Sequence, residues 1–425
     1  MQLITPTDAG YADEVIGFNV AAGSTPDVVV PASSVSDIVE AVRYARAHGH
    51  AVTAQATGHG GPHPIHAGLL VSTKRLERVR IDGDIATIEA GARWSSVIAA
   101  AAPHGLAPIA GSSATVGVVG YVLGGGLGPL ARSHGFSSDY LVGATVITGS
   151  GELVDTNDHP DLLWALRGGK FGLGIVTEVR VRLVPLRTLY AGSLIFDEPQ
   201  LEAALRAWVD YTATADADVT TSVAIAKFPP IDAIPEPLRG RRVLALRFAY
   251  PGAIADGERL ARPLRAAAPI YIDDLHELAA ADMARIHNDP PGPLPSWARG
   301  ALLDRIDQDL ATTLLGHVGP NTDAPFIAVE LRHLGNATAR DVPEGSAVGG
   351  RGASFTASFI GVPVPELFTD VIPSAANRIL ESFAPWRSRE ENINFLGEPA
   401  EPARIPNAWR DDVREKLDRV RHRYG

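Results

Sequence analysis

Residues 110–132 read A-G-S-S-A-T-V-G-V-V-G-Y-V-L-G-G-G-L-G-P-L-A-R, with glycine at 111, 117, 120, 124, 125, 126 and 128. Small and β-branched residues stand between most of them. Glycine has no Cβ, so its backbone approaches a ligand closely and adopts φ > 0 at little cost. Successive N–H groups in such turns form concave anion sites. The stretch predicts a cradle for a phosphate-bearing ligand, with a tightly packed, ligand-free turn as the plainer alternative. Two common cradles do not fit. A Rossmann G-x-G-x-x-G needs its third glycine where Pro129 stands, and no G-x-x-x-x-G-K-[ST] loop is present.

Working outward, the preceding chain alternates strands and helices. Asp27–Pro31, Ala51–Ala54, Leu69–Thr73 and Ile85–Ala90 have strand patterns. A helix follows the N-cap residues Ser33 and Ser34, and a second runs over Trp94–Ala102. The strand at 51–54 ends in a glycine turn that carries a histidine, Gln55-Ala56-Thr57-Gly58-His59-Gly60-Gly61-Pro62. Downstream, Leu141–Thr148 and Glu152–Asp155 form a hairpin pattern. A short helix over Pro160–Arg167 leads into another glycine turn, Gly168–Gly174. Ile175–Val184 alternates as a half-solvated strand.

The texture changes after Pro185. Strands at Leu189–Ile195, Ser222–Ala226, Arg242–Tyr250, Phe326–Leu331 and Ala353–Ile360 alternate with four helical patterns between Pro199 and Phe383. This predicts an α+β lobe built on an antiparallel sheet. Asn392–Leu396 is expected as one more strand, and Trp409–Tyr424 as an amphipathic helix.

The bulk numbers narrow the function. At 425 residues the chain is too long for one ordinary core, so two lobes are expected. A net charge of −11 argues against nucleic acid or anionic membrane as partner. No run of about 18 apolar residues occurs, which argues against a membrane span. The N-terminus lacks the pattern of a secretory signal, so the expected location is the cytoplasm. With no cysteine, disulfides, thiolate metal sites and cysteine nucleophiles are excluded. His59, His63 and His66 cluster, but nearby prolines and the lack of carboxylates argue against a metal site, and none is expected. The G-H-G-G run also fits a lipase oxyanion loop, but no G-x-S-x-G elbow accompanies it.

Taken together and in order, six segments carry a resemblance. They are A-T-G-H-G at 56–60, I-E-A-G-A-R-W at 88–94, G-S-S-A-T-V-G-V-V-G at 111–120, L-G-G-G-L-G at 123–128, D-L-L-W-A-L-R-G at 161–168 and F-G-L-G-I-V-T at 171–177. The chain resembles the vanillyl-alcohol-oxidase/para-cresol-methylhydroxylase flavoproteins, in particular their berberine-bridge-enzyme-like and hydroxynicotine-oxidase-like branch. The resemblance covers residues 25–185 strongly and the C-terminal part weakly. It implies a two-lobed FAD-binding fold of para-cresol-methylhydroxylase type with an inserted α+β substrate lobe. The expected division is an FAD-binding domain at 1–186, a substrate domain at 187–383 and a return to the FAD domain at 384–425.

The same resemblance implies the cofactor contacts. FAD would be held by Gln55, Ala56, Thr57, Gly58, His59 and Gly60, and by Gly111, Ser112, Ser113, Thr115, Val116, Gly117, Gly120 and Gly124. Gly174, Ile175, Val176 and Asn394 complete the set. His59 matches the histidine that carries flavin covalently, and a neutral imidazole nitrogen suits that role. Many relatives have a cysteine at or near Ser113 and form a second bond, which serine cannot do. Val116 occupies the position associated with an oxygen gate. Relatives often place a tyrosine base where Asn392 stands, so the proton acceptor is unidentified. Asn392, Tyr250 and His333 are weak catalytic candidates. His287, Glu330 and Arg351 are further polar residues of the second lobe, each also readable as ordinary core or surface.

The function expected is an oxidase that passes hydride from a small organic substrate to FAD and then to O2. An alcohol, amine, sugar or natural-product intermediate would serve as substrate, in bacterial secondary metabolism. The alternatives are a non-redox flavoprotein using FAD as scaffold, a dehydrogenase with poor O2 reactivity, and a binding protein. Oligomeric state is not legible.

Overall fold

The Val35–His48 helix shows how local chemistry sets the first layer. Ser34 Oγ accepts from Asp37 N at 3.2 Å while Asp37 Oδ2 accepts from Ser34 N at 3.1 Å, a reciprocal cap for two orphan donors. Gly49, at φ 72°, ends the helix in the left-handed region. Ile38, Ala41, Val42 and Ala45 recur at helical spacing and are buried. They pack on a three-stranded parallel sheet ordered Val28–Pro31, Leu69–Ser72, Val52–Gln55. The computed structural model describes residues 1–60, 64–398 and 402–425.

A second, five-stranded antiparallel sheet follows the order Val79–Asp82, Ile85–Glu89, Ile175–Arg182, Leu141–Ile147, Leu153–Asp155. Its central strand buries Val179 and Val181 and turns Glu178, Arg180 and Arg182 outward, as period-two alternation requires. The Trp94–Ala101 helix packs Trp94 and Val97 into the same core. The C-terminal Asp411–Tyr424 helix closes that core with Leu417, Val420 and Tyr424.

The third sheet is antiparallel and nine-stranded. Its middle runs Thr188–Asp197, Arg242–Tyr250, Thr220–Lys227, Phe326–His333, Phe355–Gly361, Ala298–Leu303. Helices Leu201–Thr212, Ile254–Arg265, Gln308–Val318 and Val371–Ser382 contribute to its hydrophobic core, where Trp208, Phe248, Val329 and Leu331 are buried. Alternation then puts Ser222, Arg247, Glu330 and Arg332 on the opposite face. That face turns toward the glycine-rich turns.

Several elements differ from expectation, three of them in or beside the sheets. The strands Val79–Asp82 and Ala298–Leu303 are additional. Residues 392–396 form a turn rather than a strand, and the short strand there is Gly397–Glu398, paired with Ala298 and Arg299. The reason is local: Asn392 Oδ1 accepts from Asn394 N at 3.1 Å and Asn392 O accepts from Phe395 N at 2.9 Å. These bonds hold the backbone out of a ladder. Among the described residues, no helix is long and apolar enough to cross a membrane.

Candidate functional site

Between the glycine turns and the polar face of the large sheet lies a cavity of about 970 Å³. That is the upper end of the ~300–1,000 Å³ typical of ligand sites. Its walls come from residues near 11–24, from 52–60, from 111–123, from 170–176, and from Asp289, Arg332 and Ile393–Phe395.

The two glycine turns are fastened to each other: Gly117 N donates to Thr57 Oγ1 at 3.2 Å. Gly58 has φ 64°, and a Cβ there would lie 2.6 Å from Gly17 Cα, so glycine is required for this approach. At Gly60 and Gly120 a Cβ would meet nothing within 4 Å. Both line the cavity, so bare backbone is open to whatever occupies it.

His59 stacks on Phe18, with centroids 3.7 Å apart and planes at 20°. Its Nε2 lies 2.9 Å from Thr115 Oγ1, which lies 2.9 Å from Ser113 Oγ. Nδ1 has no hydrogen-bond partner among the described residues. Burial, with Arg93 nearby, lowers the imidazole pKa to about 4 despite the opposing charge of Asp289. The ring is therefore neutral near pH 7. If Nε2–H donates to Thr115, Nδ1 carries a free lone pair.

Of the residues expected to hold the cofactor, Thr115 and Gly124 stand behind the cavity wall and the remainder line it. Thr115 contacts His59 from behind that wall. Gly124 makes room for Asn394, since a Cβ there would sit 2.0 Å from Asn394 Oδ1. Asn394 Nδ2 donates to Tyr121 O at 2.9 Å, and its Oδ1 accepts from Lys170 Nζ at 2.8 Å. Burial lowers the Lys170 ammonium to about 8.

The catalytic candidates lie elsewhere. Asn392 is buried and points its amide toward its own turn and Gly349 O. His333 Nε2 sits 2.9 Å from Arg132 Nη1, and burial with that guanidinium lowers its pKa to about 3. Tyr250 ends a strand and packs against the helix-covered core. None of these three lines the cavity. Arg351 is paired with Asp139 and Asp341, also away from it. His63 lies outside the described residues. Among those described, no group of three or more His, Cys, Asp or Glu side chains is placed to hold a metal.

A buried ionic cluster was only partly foreseen. Glu330 accepts from Arg247 Nη1 at 3.0 Å, from Arg332 Nε at 2.7 Å and from Ser222 Oγ at 3.0 Å. His287 Nε2 lies 3.6 Å from Glu330 Oε1. Burial alone would raise the Glu330 carboxyl, but Arg332, His287 and Arg247 outweigh it and hold the group well below the usual range. Arg332 and Lys170 were missed as cavity residues. Their signals were a charged pair alternating with buried apolar residues at 328–332, and a lone lysine inside a glycine turn.

Residues 26–157 match the family model described as "FAD binding domain". The chain is 26% identical over 371 residues to an uncharacterized FAD-linked oxidoreductase of Bacillus subtilis, covering 81% of this chain and 77% of that one. It is 32% identical over 201 residues to (R)-6-hydroxynicotine oxidase of Paenarthrobacter nicotinovorans, covering 45% of this chain but only 43% of the relative. Among solved structures, 6-hydroxy-D-nicotine oxidase of Arthrobacter nicotinovorans superposes with a TM-score of 0.84 at 19% identity, over 100% of this chain and 94% of that one. Glucooligosaccharide oxidase of Acremonium strictum, described with a 6-S-cysteinyl, 8α-N1-histidyl FAD, gives 0.82 at 19% identity over the same shares. The residues present fit FAD: the cavity has the volume, open glycine backbone lines it, and a neutral histidine stands in its wall.

Proposed function

The chain is an FAD-dependent oxidoreductase with a para-cresol-methylhydroxylase-type, berberine-bridge-enzyme-like fold, and from that premise we propose that it is an oxidase of a small organic substrate with O2 as final acceptor. The observation that carries the reading is the two-sided cavity. Glycine turns and His59 form one wall, and the charged face of the large sheet forms the other. Bound FAD supplies a hydride acceptor for a substrate C–H bond and a route for the electrons to O2.

The chain's own residues take the remaining roles. His59 is the attachment point for flavin, held by Phe18 and Thr115. Ser113 stands where a second, thioether bond would need sulfur, so one bond is proposed. Lys170 and Asn394 brace the turn opposite, and Val116 leaves compact space in the wall. Substrate lies against Arg332, whose side chain is largely covered, and Asp289. The division into an FAD lobe at 1–186 and 384–425 and a substrate lobe at 187–383 is part of the proposal. It is supported by the Asp411–Tyr424 helix packing in the first lobe's core. An alcohol, amine, sugar or natural-product intermediate is the proposed substrate range, within bacterial secondary metabolism and in the cytoplasm.

The second reading, FAD as scaffold without net redox change, is favoured by one observation: Asn392 provides no base and faces away from the cavity. Anaerobic reduction followed by admission of air separates the two. Rapid reoxidation with one peroxide formed per flavin supports the oxidase. A reduced flavin that persists in air refutes it.

A further inference from the structure

The Arg332 guanidinium is held in an unusual way. Its Nε donates to Glu330 Oε2 at 2.7 Å, and Nη1 has only a long contact of 3.4 Å to Leu127 O. Among the described residues no acceptor is bonded to Nη2. The side chain is only 15% exposed, yet it lines the cavity. Its guanidinium carbon stands 5.8 Å from the centroid of Phe395, another lining residue, within range of a cation–π contact that orients the planar group.

Within ion-pair distance the charges around it do not balance. Arg247 and Arg332 contribute two positive charges against the single carboxylate of Glu330. His287, buried beside Arg247, has its pKa lowered by burial first and then by that arginine, so its ring stays neutral and offsets neither guanidinium. Asp289, an acidic residue of the cavity wall, accepts from Ser112 Oγ at 2.7 Å; its charge acts on Arg332 from a distance, but it forms no ion pair with the guanidinium. A partly desolvated positive charge with free N–H donors, aimed into a ligand cavity, is complementary to a planar anion such as carboxylate, which a guanidinium binds through paired hydrogen bonds.

We propose that Arg332 is the recognition residue for an anionic group, a carboxylate in particular, on the substrate, so that the enzyme acts on organic acids rather than neutral alcohols or sugars. This rests on the reading of the cavity as a flavin-and-substrate site. Glu330 acts as a positioning residue: it fixes the Nε edge of Arg332 and leaves the outer edge for ligand. Arg247 and Ser222 fix Glu330 in turn.

The test uses the oxidised, FAD-loaded protein and the flavin absorbance spectrum, with no turnover. Benzoate and phenylacetate are titrated alongside their neutral isosteres, benzamide and phenylacetamide. The expected result is saturable perturbation by the acids with a Kd at least about tenfold tighter than the amides, the scale of one charge-assisted hydrogen bond. Arg332→Lys should weaken the acids while keeping some preference, and Arg332→Gln should remove the preference. Equal binding of acid and amide overturns the proposal. So does failure of all the acids to bind FAD-loaded protein, the outcome if the cofactor itself satisfies Arg332. Should a variant fail to keep its flavin, the wild-type comparison of acid with amide still decides. A failure of the oxidase reading appears separately, as reduced flavin that persists in air.

Discussion

Lys170 Nζ donates to Asn394 Oδ1 at 2.8 Å, joining a glycine turn to a residue 224 positions later. The same ammonium donates to Gly120 O, so one side chain ties three cavity-lining segments together. Lys170 adopts φ 61°, a left-handed conformation that costs a non-glycine residue about 1–2 kcal/mol. The position therefore combines a backbone cost with a side-chain gain. Lys170→Met should lose the gain and keep the cost, destabilising the protein by about 1–2 kcal/mol. Lys170→Gly loses the same bonds but relieves the backbone, so it should be milder by about 1 kcal/mol. Denaturant unfolding of the two variants checks this; equal losses would mean that the bonds or the strain have been misjudged.

His59 supplies a pH prediction. Its pKa is lowered to about 4, against an ordinary value of 6.5, so the neutral ring persists well below pH 6. Covalent incorporation of FAD into flavin-free protein should then be nearly flat from pH 8 to 5.5. A histidine with an ordinary pKa would be about 90% protonated at the lower limit and slow about tenfold. Between the two pKa values the unfolded chain binds the extra proton, so this group's contribution to stability is present above pH 6.5 and is lost as pH falls toward 4. His59→Ala should retain flavin only loosely, with a protein mass equal to the bare chain.

The glycine turns were legible because their chemistry is local: Gly58, His59 and Gly117 each state a backbone or nucleophile requirement without reference to distant residues. The core strand at 175–182 was legible from its alternation, and the one at 326–333 was expected over Phe326–Leu331. What alternation does not reveal is which distant elements its outward face meets. Glu330 and His287 stood out only as polar residues, because their meaning depends on Arg247 arriving from two strands away in the sheet and on His287 from a separate segment, beside Arg332 of Glu330's own strand. Ala298–Leu303 was hidden by the arginine and glycine in an otherwise apolar run, following Pro293 and Pro295. Residues 392–396 looked like a strand because the asparagine side-chain bond that bends them is invisible to hydrophobic pattern.

Glu330 offers a test of the ionic cluster apart from any ligand. Its carboxylate is 6% exposed and is bonded to two arginines. Glu330→Gln leaves both guanidinium groups buried with no anion between them. Removing one partner of a buried ion pair costs about 3–5 kcal/mol, far more than the net value of the pair. Thermal or denaturant unfolding should show a loss in that range. A loss under about 1 kcal/mol would mean that solvent reaches the cluster and screens it.

Val116 bears on the reaction with oxygen. Val116 lines the cavity beside Ser113 and Gly117, its backbone fixed because its carbonyl accepts from Trp94 N at 3.1 Å and its N donates to Ser113 O at 3.4 Å. A fixed backbone means that added side-chain volume must enter the cavity or press on the core. O2 must come close to the reduced flavin ring to react, so one methylene at a narrow approach has an effect out of proportion to its volume. Val116→Ile should slow reoxidation in air while leaving anaerobic reduction by substrate or dithionite nearly unchanged. The swap adds a single methylene, so overpacking costs about 1–3 kcal/mol at most and the fold should survive. Stopped-flow measurement of the two half-reactions separates a gate from a general disturbance. If both rates fall together, Val116 is a packing residue that shapes the whole cavity. If the wild type itself reoxidises slowly, there is no open approach for the isoleucine to block, and a dehydrogenase replaces the oxidase as the reading of this site.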